Sequence, residues 1–156
     1  MTTNFLWNPG TSNSGLAATA FDLMTTELNS LANLAYATSS GTFSNSNPAQ
    51  AIWAQLFLTL GAVTSATSGS NICGWFARSY DGGTNYEQVA QAPARHPDFI
   101  FPVFVGAITG GSIWGASGLI ALPALKFKVV VQNNLGATLA GSANTIKAAP
   151  VNMQAV

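Results

Sequence analysis

Short segments in which apolar and polar residues alternate constrain the fold of this chain most strongly. In residues 51–60, AIWAQLFLTL, the even-numbered positions from Ile52 to Leu60 are all apolar, while Gln55 and Thr59 lie among the odd-numbered ones. Side chains of a β-strand alternate between two faces, so this period of two predicts a strand with one face toward a core. Further strand-like runs, each bounded by Gly, Asn or Pro, are residues 72–80, 98–108, 118–132, 137–141 and 143–151.

Prolines and turn residues refine these strands. Pro102 predicts an edge strand or a bulge, because proline has no backbone N–H to offer a central strand. Pro123 interrupts residues 118–132, and beyond it Lys126 and Lys128 are expected to point outward. The residues expected to point inward there are Leu125, Phe127, Val129 and Val131. Short strands separated by Gly- and Asn-containing turns predict a mainly β protein, a β-sandwich or jelly roll.

The first fifteen residues do not follow the strand pattern. Residues 1–15 are rich in Asn, Ser, Thr and Gly, and they predict an N-terminal arm. Phe5, Leu6 and Trp7 form a compact apolar cluster in this arm. Because the arm has too few apolar residues to fold alone, we expect this cluster to be buried against a partner.

One helix is expected after the arm. In residues 16–37 apolar side chains recur every three or four positions, which predicts an amphipathic helix. Thr19 is a suitable N-cap and TSSG at residues 38–41 ends the pattern, so the helix is expected at about residues 19–36. The predicted organisation is therefore the arm followed by a single β-sandwich domain, residues 16–156, that includes this helix.

Charged side chains are scarce. They make up 6% of the 156 residues, against about 25% in typical domains. Five basic residues balance five acidic ones, so there is no basic patch for nucleic acid or an anionic membrane. No apolar run reaches the roughly 18 residues of a membrane span, and the arm lacks the features of a signal peptide. Neutral polar side chains lose water at lower cost than Lys or Glu, which favours wide contacts within an assembly.

Residues 77–87, ARSYDGGTNYE, contain the pattern Ser79-x-Asp81-x-Gly83, which is close to the Asp-box of sialidases. The match is imperfect, since Thr comes one position early and Tyr86 stands in place of Trp. The Asp-Gly-Gly sequence supplies the positive φ angles of a tight turn, and Asp81 can accept hydrogen bonds from its own turn. We therefore interpret the segment as a hairpin and not as a glycan-processing site.

No group of residues has the pattern of a catalytic or metal site. His96 is the single histidine, and Arg95, His96 and Asp98 are expected to be solvated in a loop. Cys73 is the single cysteine and has no cation near it in sequence, which predicts a buried structural thiol. The Gly-rich run at residues 106–118 lacks the lysine of a phosphate loop and predicts a long mobile loop. The sequence thus predicts a protein that is not an enzyme and has no cofactor or metal.

Exposed aromatic and aliphatic side chains are the candidates for contacts with partners. Trp53 and Trp75 lie in strand-like runs and are expected in the core, whereas aromatic residues in loops can anchor an interface. The candidate partner contacts, all apolar residues in segments without a strand pattern, are Phe5, Leu6, Trp7, Ile113 and Trp114.

Four segments, in this order along the chain, carry a family resemblance. They are TTELNSLANLA (25–35), AQLFLTLGAVTSATSG (54–69), ARSYDGGTNYE (77–87) and LPALKFKVVVQNNLGATLAGSANTIKAAPVNMQ (122–154). Together they resemble a family of small virion structural proteins of tailed bacteriophages, and among these the capsid decoration, or cement, proteins. The shared features are a DGTNYE-like hairpin, a P-x-x-KFK strand and an NN-x-G turn before a final N-T-x-K strand. The resemblance covers about residues 25–154.

The resemblance implies a β-sandwich or jelly-roll core and a structural role. The protein would bind and stabilise the phage capsid surface, contacting the major capsid protein and other copies of itself as a homo-oligomer. It would assemble in the cytoplasm of the bacterial host and remain on the virion. The alternative is a carbohydrate- or receptor-binding module of a tail or head fibre, although no motif identifies a host glycan. Neither reading involves nucleic acid, a membrane or a cofactor.

Overall fold

The structure, a computed structural model, describes residues 5–8, 20–44, 53–63, 70–89, 95–103 and 111–155. These residues form nine β-strands, which we number in chain order. The strands are β1 (Phe5–Asn8), β2 (Phe21–Met24), β3 (Tyr36–Thr38), β4 (Trp53–Leu60), β5 (Asn71–Arg78), β6 (Phe99–Pro102), β7 (Ile113–Ala121), β8 (Phe127–Asn134) and β9 (Thr145–Ala155).

The strands form two antiparallel sheets. The larger sheet has five strands in the order β1-β9-β4-β7, with β2 also paired to β9. Strand β9 is long enough to pair along one edge with both β2, through residues 146–148, and β1, through residues 152–155. The smaller sheet has four strands in the order β3-β8-β5-β6. The prediction of a mainly β, sandwich-like protein is therefore confirmed.

One apolar core fills the space between the two sheets. Strand β4 contributes the buried residues of its predicted inner face, and β5 and β8 contribute aromatic and β-branched side chains from the opposite sheet. The ring centroids of Phe76 and Phe127 are 5.0 Å apart in an edge-to-face arrangement. Burying each such side chain contributes about 1.5–3 kcal/mol to stability. Representative core residues are Leu56, Leu58, Ile72, Phe101, Val129 and Ile146.

The helix predicted at about residues 19–36 is absent from the described part of that segment, residues 20–36, and the prediction is wrong there. Phe21–Met24 and Tyr36–Thr38 are strands, and the residues between them form successive turns. Ser30 and Leu34 have φ angles of 57° and 64°, which no right-handed helix accommodates.

A tertiary contact explains why the helical spacing misleads. The turns pack against the loop that follows β8, and the side-chain amide of buried Asn133 donates to the carbonyl oxygen of Leu31 at 2.9 Å. The backbone N–H of Ser30 donates to the carbonyl oxygen of Ala140 at 2.9 Å. The Thr, Ser and Asn residues of this segment favour turns over helix. Leu28 is buried in the core although it lies in a turn. The apolar spacing of this segment therefore reflects burial and not a helix.

Several predictions about the later strands also need correction. Residues 137–141, predicted as a strand, form none, and Leu125, expected to point inward, is 41% exposed. Residues 118–132 are not one interrupted strand, because β7 ends at Ala121 and β8 begins at Phe127 in the other sheet. The Gly-rich run at residues 106–118 is not wholly a loop, since residues 113–118 belong to β7; its first residues, 106–110, lie outside the described part. Pro102 does end an edge strand, β6, as expected.

Candidate functional site

The most distinctive surface is the face of the five-stranded sheet that points away from the core. Register places Phe57 of β4 opposite Ala116 of β7 and opposite Lys147 of β9, while Thr59 lies opposite Trp114. Trp114 is 78% exposed, Leu119 50% and Phe57 38%. We call the side chains of Phe57, Trp114, Ala116 and Leu119 the outer patch. Large apolar side chains grouped on an open sheet face are a candidate interaction surface.

A groove of about 670 Å³ runs across this face. Its lining is almost entirely apolar and includes Phe57, Trp114 and Ala116, together with Ala20, Thr59 and Lys147. Lys147 is the single charged residue of strands β4, β7 and β9, and its ammonium group lies 3.4 Å from the carboxylate of Asp22. The face is therefore nearly neutral, as the composition suggested.

A break in register shapes the outer patch. The pairing of β4 with β7 shifts between Gln55 and Phe57, where β7 carries one extra residue. Ser117 is buried at this bulge, and its hydroxyl oxygen accepts a hydrogen bond from the backbone N–H of Leu56 at 2.9 Å. A bulge re-aims the side chains around it, so Ala116 and Leu119 both lie at the surface although they are three residues apart.

The predicted turn around Asp81 is confirmed, but the hairpin is not, because no strand follows β5 within residues 79–89. The Asp81 carboxylate accepts hydrogen bonds from the backbone N–H groups of Thr84 and Asn85, at 3.0 and 2.9 Å, and from the Ser79 hydroxyl at 2.8 Å. Gly83 has a φ of 103°. The bonds from Asn85 and Ser79 hold the pKa of the Asp81 carboxyl well below its usual range. All of these hydrogen bonds are made within the turn.

The expectation that Arg95 and Asp98 are simply solvated is wrong. Arg95 donates to the Asp98 carboxylate at 2.6 Å, and Arg78 lies 3.6 Å from the same carboxylate. Glu87 completes a partly buried network through both arginines. His96, between them in sequence, is exposed. The network binds the outer edge of β5, because Asp98 and Arg95 also bond to the backbone of Phe76.

All five acidic side chains of the chain lie in the described residues, and each is engaged in local structure. Asp22 pairs with Lys147. Glu27 accepts hydrogen bonds from the backbone N–H groups of Thr25 and Ser40, at 2.9 and 2.8 Å. The other three are the turn carboxylate Asp81 and the network carboxylates Glu87 and Asp98. Among the described residues there is also no group of three or more His, Cys, Asp or Glu side chains that could hold a metal.

Cys73 is only half-buried, so the prediction of a buried thiol holds only in part. Its sulfur bonds to the Asn71 side-chain oxygen at 3.0 Å. Burial raises the pKa of the Cys73 thiol, opposed by a hydrogen bond from Asn134. A thiol with a raised pKa is a poor nucleophile at neutral pH.

The five candidate partner contacts differ in their surroundings in the structure. Trp114 is exposed in the outer patch, but Ile113 is 5% exposed and belongs to the core. Phe5, Leu6 and Trp7 lie in β1, whose backbone pairs with β9 of the same chain. Their side chains lie outside the described residues, so their contact with a partner stays a prediction.

Sequence reasoning missed Phe57 and Leu119 as surface residues. Phe57 was visible as an aromatic residue on the outer face of the alternating strand in residues 51–60, opposite the core-facing leucines. Leu119 gave no such signal, because the bulge at Ser117 breaks the alternation before it. Of the tryptophans expected in the core, Trp75 is buried in a small cluster on the smaller sheet and Trp53 is half-buried.

No helix within the described residues is long and apolar enough to cross a membrane. No protein-family model matches the sequence, and neither a curated protein nor a solved structure is significantly similar to it.

Proposed function

We propose that this protein is a structural component of a tailed-bacteriophage particle, which binds the capsid surface as a decoration protein. The observation that carries the proposal is the outer patch, a nearly neutral sheet face on which Trp114 is 78% exposed. Aromatic anchors on a face with little charge are typical of protein interfaces. The partners would be the major capsid protein and other copies of this chain. The protein would assemble in the host cytoplasm and remain on the capsid.

The strand order supports a jelly roll. Strand β2 pairs with β9, β3 with β8, β4 with β7 and β5 with β6, all antiparallel, so each pair nests inside the previous one. A long hairpin wound in this way gives two facing sheets, here β2-β9-β4-β7 and β3-β8-β5-β6. Jelly rolls of eight strands occur in virus capsid proteins and in lectins. Fold alone does not assign function, so the outer patch and not the strand order carries the proposal.

The use of the carboxylates supports a role without catalysis. General acid-base chemistry at a glycosidic bond needs two carboxyl groups facing one substrate site. Asp81, the acidic residue of the Asp-box-like segment, has both of its oxygens bound by its own turn. The remaining acidic side chains are held by Lys147, by Ser40 and by the two arginines.

A carbohydrate-binding module is the second candidate function. Trp114 and Phe57 line the same groove, and aromatic rings of this kind stack on sugar faces. A sugar also needs several directed hydrogen bonds, however, and the groove offers few polar side chains besides Thr59 and Lys147. The lining therefore favours a protein partner over a glycan.

The experiment measures binding of purified protein to undecorated capsids of the phage that encodes it. Trp114→Ala is expected to weaken binding about tenfold or more, because truncating an aromatic anchor costs about 2 kcal/mol. Leu119→Ala should weaken it less. Ile100→Ala is the matched control, since Ile100 is 47% exposed on the smaller sheet and should leave binding unchanged.

Thermal melting of each variant keeps this test interpretable. These side chains are exposed, so each change should alter the free energy of unfolding by about 0.5 kcal/mol or less. Full capsid binding by Trp114→Ala, or an equal loss with Ile100→Ala, contradicts the proposal. If the parent protein binds a glycan on an array and Trp114→Ala abolishes that binding, the carbohydrate module is supported instead.

A further inference from the structure

A second cavity lies on the opposite side of the molecule, between the Asp81 turn and the outer face of the four-stranded sheet. It has a volume of about 300 Å³, at the lower end of the range for small-molecule sites. Its floor is apolar and consists of buried Ala77, Val89 and Val130. Its rim carries hydroxyl and amide groups from Thr38, Asn85 and Gln88. More of the surface that the pocket exposes is polar than apolar, and small-ligand sites place such polar groups beside apolar ones.

The charge of this pocket is uncompensated. Lys128 lines it from β8, and its ammonium group lies 5.2 Å from the centroid of the Tyr86 ring. Arg78, Arg95 and Lys147 each have a carboxylate within 4.0 Å. None of the chain's five acidic side chains, all of which are described, lies within that distance of the Lys128 ammonium.

Glu87 lines the same pocket but does not neutralise Lys128. Its carboxylate accepts hydrogen bonds from the backbone N–H of Arg78 at 3.1 Å and from the Arg95 guanidinium at 3.4 Å. The Tyr80 hydroxyl donates to its other oxygen at 3.2 Å. Because both oxygens are committed to this network, the pocket presents a cation without a matching anion.

Tyr86 forms one side of the pocket and lies beside the cation. Its hydroxyl is 2.8 Å from the Thr42 hydroxyl, which ties the turn to the segment after β3. The half-buried ring packs against the small cluster of Trp75, Ala77, Val89 and Val130. The ring face attracts the Lys128 ammonium electrostatically and keeps it beside the cavity without supplying a negative charge.

We propose that this pocket binds a small organic carboxylate, with its carboxylate on Lys128 and its apolar part on Ala77 and Val130. A charge-assisted hydrogen bond to a partly desolvated lysine is roughly twice as strong as a neutral one. Asn85 and Gln88 line the rim, where their side-chain amides donate to the Asp81 carboxylate at 2.7 Å and to the Tyr86 carbonyl oxygen at 3.4 Å. The site is on the other sheet from the outer patch, so it stands independently of the proposed capsid contact.

The test is a titration followed by NMR, with benzoate as the probe and benzamide as its neutral counterpart of nearly equal shape. Benzoate is expected to give saturable shifts at Ala77, Val89 and Val130. Benzamide should bind at least about tenfold more weakly, since a hydrogen bond to a charged group contributes about 1.5–3 kcal/mol. Lys128→Gln should weaken benzoate binding by a similar factor.

Lys126→Gln is the matched control, because Lys126 is exposed nearby and does not line the pocket. It should leave benzoate binding unchanged, and the melting temperatures of both variants should match the parent. Equal binding of benzamide, equal loss with Lys126→Gln, or no saturable shift at the pocket overturns the proposal. If benzoate does not bind but Lys128→Gln lowers capsid binding, the carboxylate belongs to a partner protein, which also overturns it.

Discussion

The carboxylate of Asp98 accepts a hydrogen bond from the backbone N–H of Phe76 at 2.7 Å. At this point β5 has run beyond its partner β6, which pairs only with residues 71–74. Arg95 donates to the carbonyl oxygen of Phe76 at 2.8 Å, and Glu87 bonds to the backbone of Arg78. Open strand edges can pair with other chains, so these side chains close an edge that would otherwise invite aggregation. A chain with only five acidic residues uses two of them here.

Asp98→Ala is expected to destabilise the protein by about 1–3 kcal/mol, because it leaves the Phe76 N–H without its acceptor and removes a carboxylate from both arginines. The side chain of Asp98 is 19% exposed, so water replaces it incompletely. Urea unfolding measures the change. Asp22→Ala is the control, since the Asp22–Lys147 pair is about half exposed and should be worth about 1 kcal/mol or less. Equal effects of the two changes contradict the edge role.

Acid should destabilise the protein through Glu27. Partial burial raises the pKa of Glu27, but hydrogen bonds from Ser40 and Thr25 outweigh it and lower the pKa to about 2 from 4.5. The folded state therefore binds this proton less tightly than the unfolded chain, so the stabilisation is present above pH 4.5 and is lost as pH falls toward 2. Asp81, whose pKa is also lowered, contributes in the same direction.

Glu27→Gln isolates that effect. We expect the melting temperature of the variant to fall less than that of the parent between pH 5 and pH 2, because the glutamine has no proton to gain. At pH 7 the variant should melt lower than the parent, since the charged acceptor of the Ser40 and Thr25 N–H groups is gone. Identical slopes of melting temperature against pH for variant and parent would show that Glu27 does not drive acid unfolding.

The sequence predicts the strands well where apolar residues are buried and polar residues are exposed. It fails where a polar residue is buried and an apolar one is exposed. In β4, Leu56 and Leu58 face the core and Gln55 and Thr59 do not, so alternation reveals the strand. In β7, Ser117 is buried and Leu119 is 50% exposed. Because glycines lie beside these two residues, the sequence of this segment predicts a loop, although its backbone forms a strand.

The candidate site likewise has features that the sequence predicts and features that it does not. The exposure of Trp114 was predictable, but Phe57, its diagonal neighbour on β4, became part of the outer patch only through strand pairing. The Arg95–Asp98 network was also beyond sequence reasoning, because Arg78 and Glu87 join it from another part of the chain. The expected helix failed for a related reason: Asn133, distant in sequence, fixes the turns around Leu31.

A pair of glycine substitutions tests the packing of β4 against the loop before β9. A Cβ at Gly61 would lie 2.5 Å from the carbonyl oxygen of Ser142, a backbone atom that cannot move without disturbing the loop. Gly61→Ala should therefore destabilise the protein by about 1–3 kcal/mol. Gly118→Ala, with no atom within 4 Å of the added Cβ, should change stability by about 0.5 kcal/mol or less. Chemical unfolding distinguishes them, and an equally mild effect at both sites contradicts the described packing.

The last prediction concerns the N-terminal arm, where Leu6 of β1 lies directly opposite Gln154 of β9. Opposed Cα atoms in antiparallel strands are about 4.5–5.5 Å apart, within the range that a disulfide bridges. In a Cys73→Ala background, Leu6→Cys with Gln154→Cys should oxidise within one chain and run as a monomer on a non-reducing gel. Leu6→Cys with Thr145→Cys is the control, since nine residues of strand, about 30 Å, separate the two β9 positions. Covalent dimers from the first pair would mean that the arm pairs with a neighbouring copy, as the arm's composition suggested, and would contradict pairing within the chain.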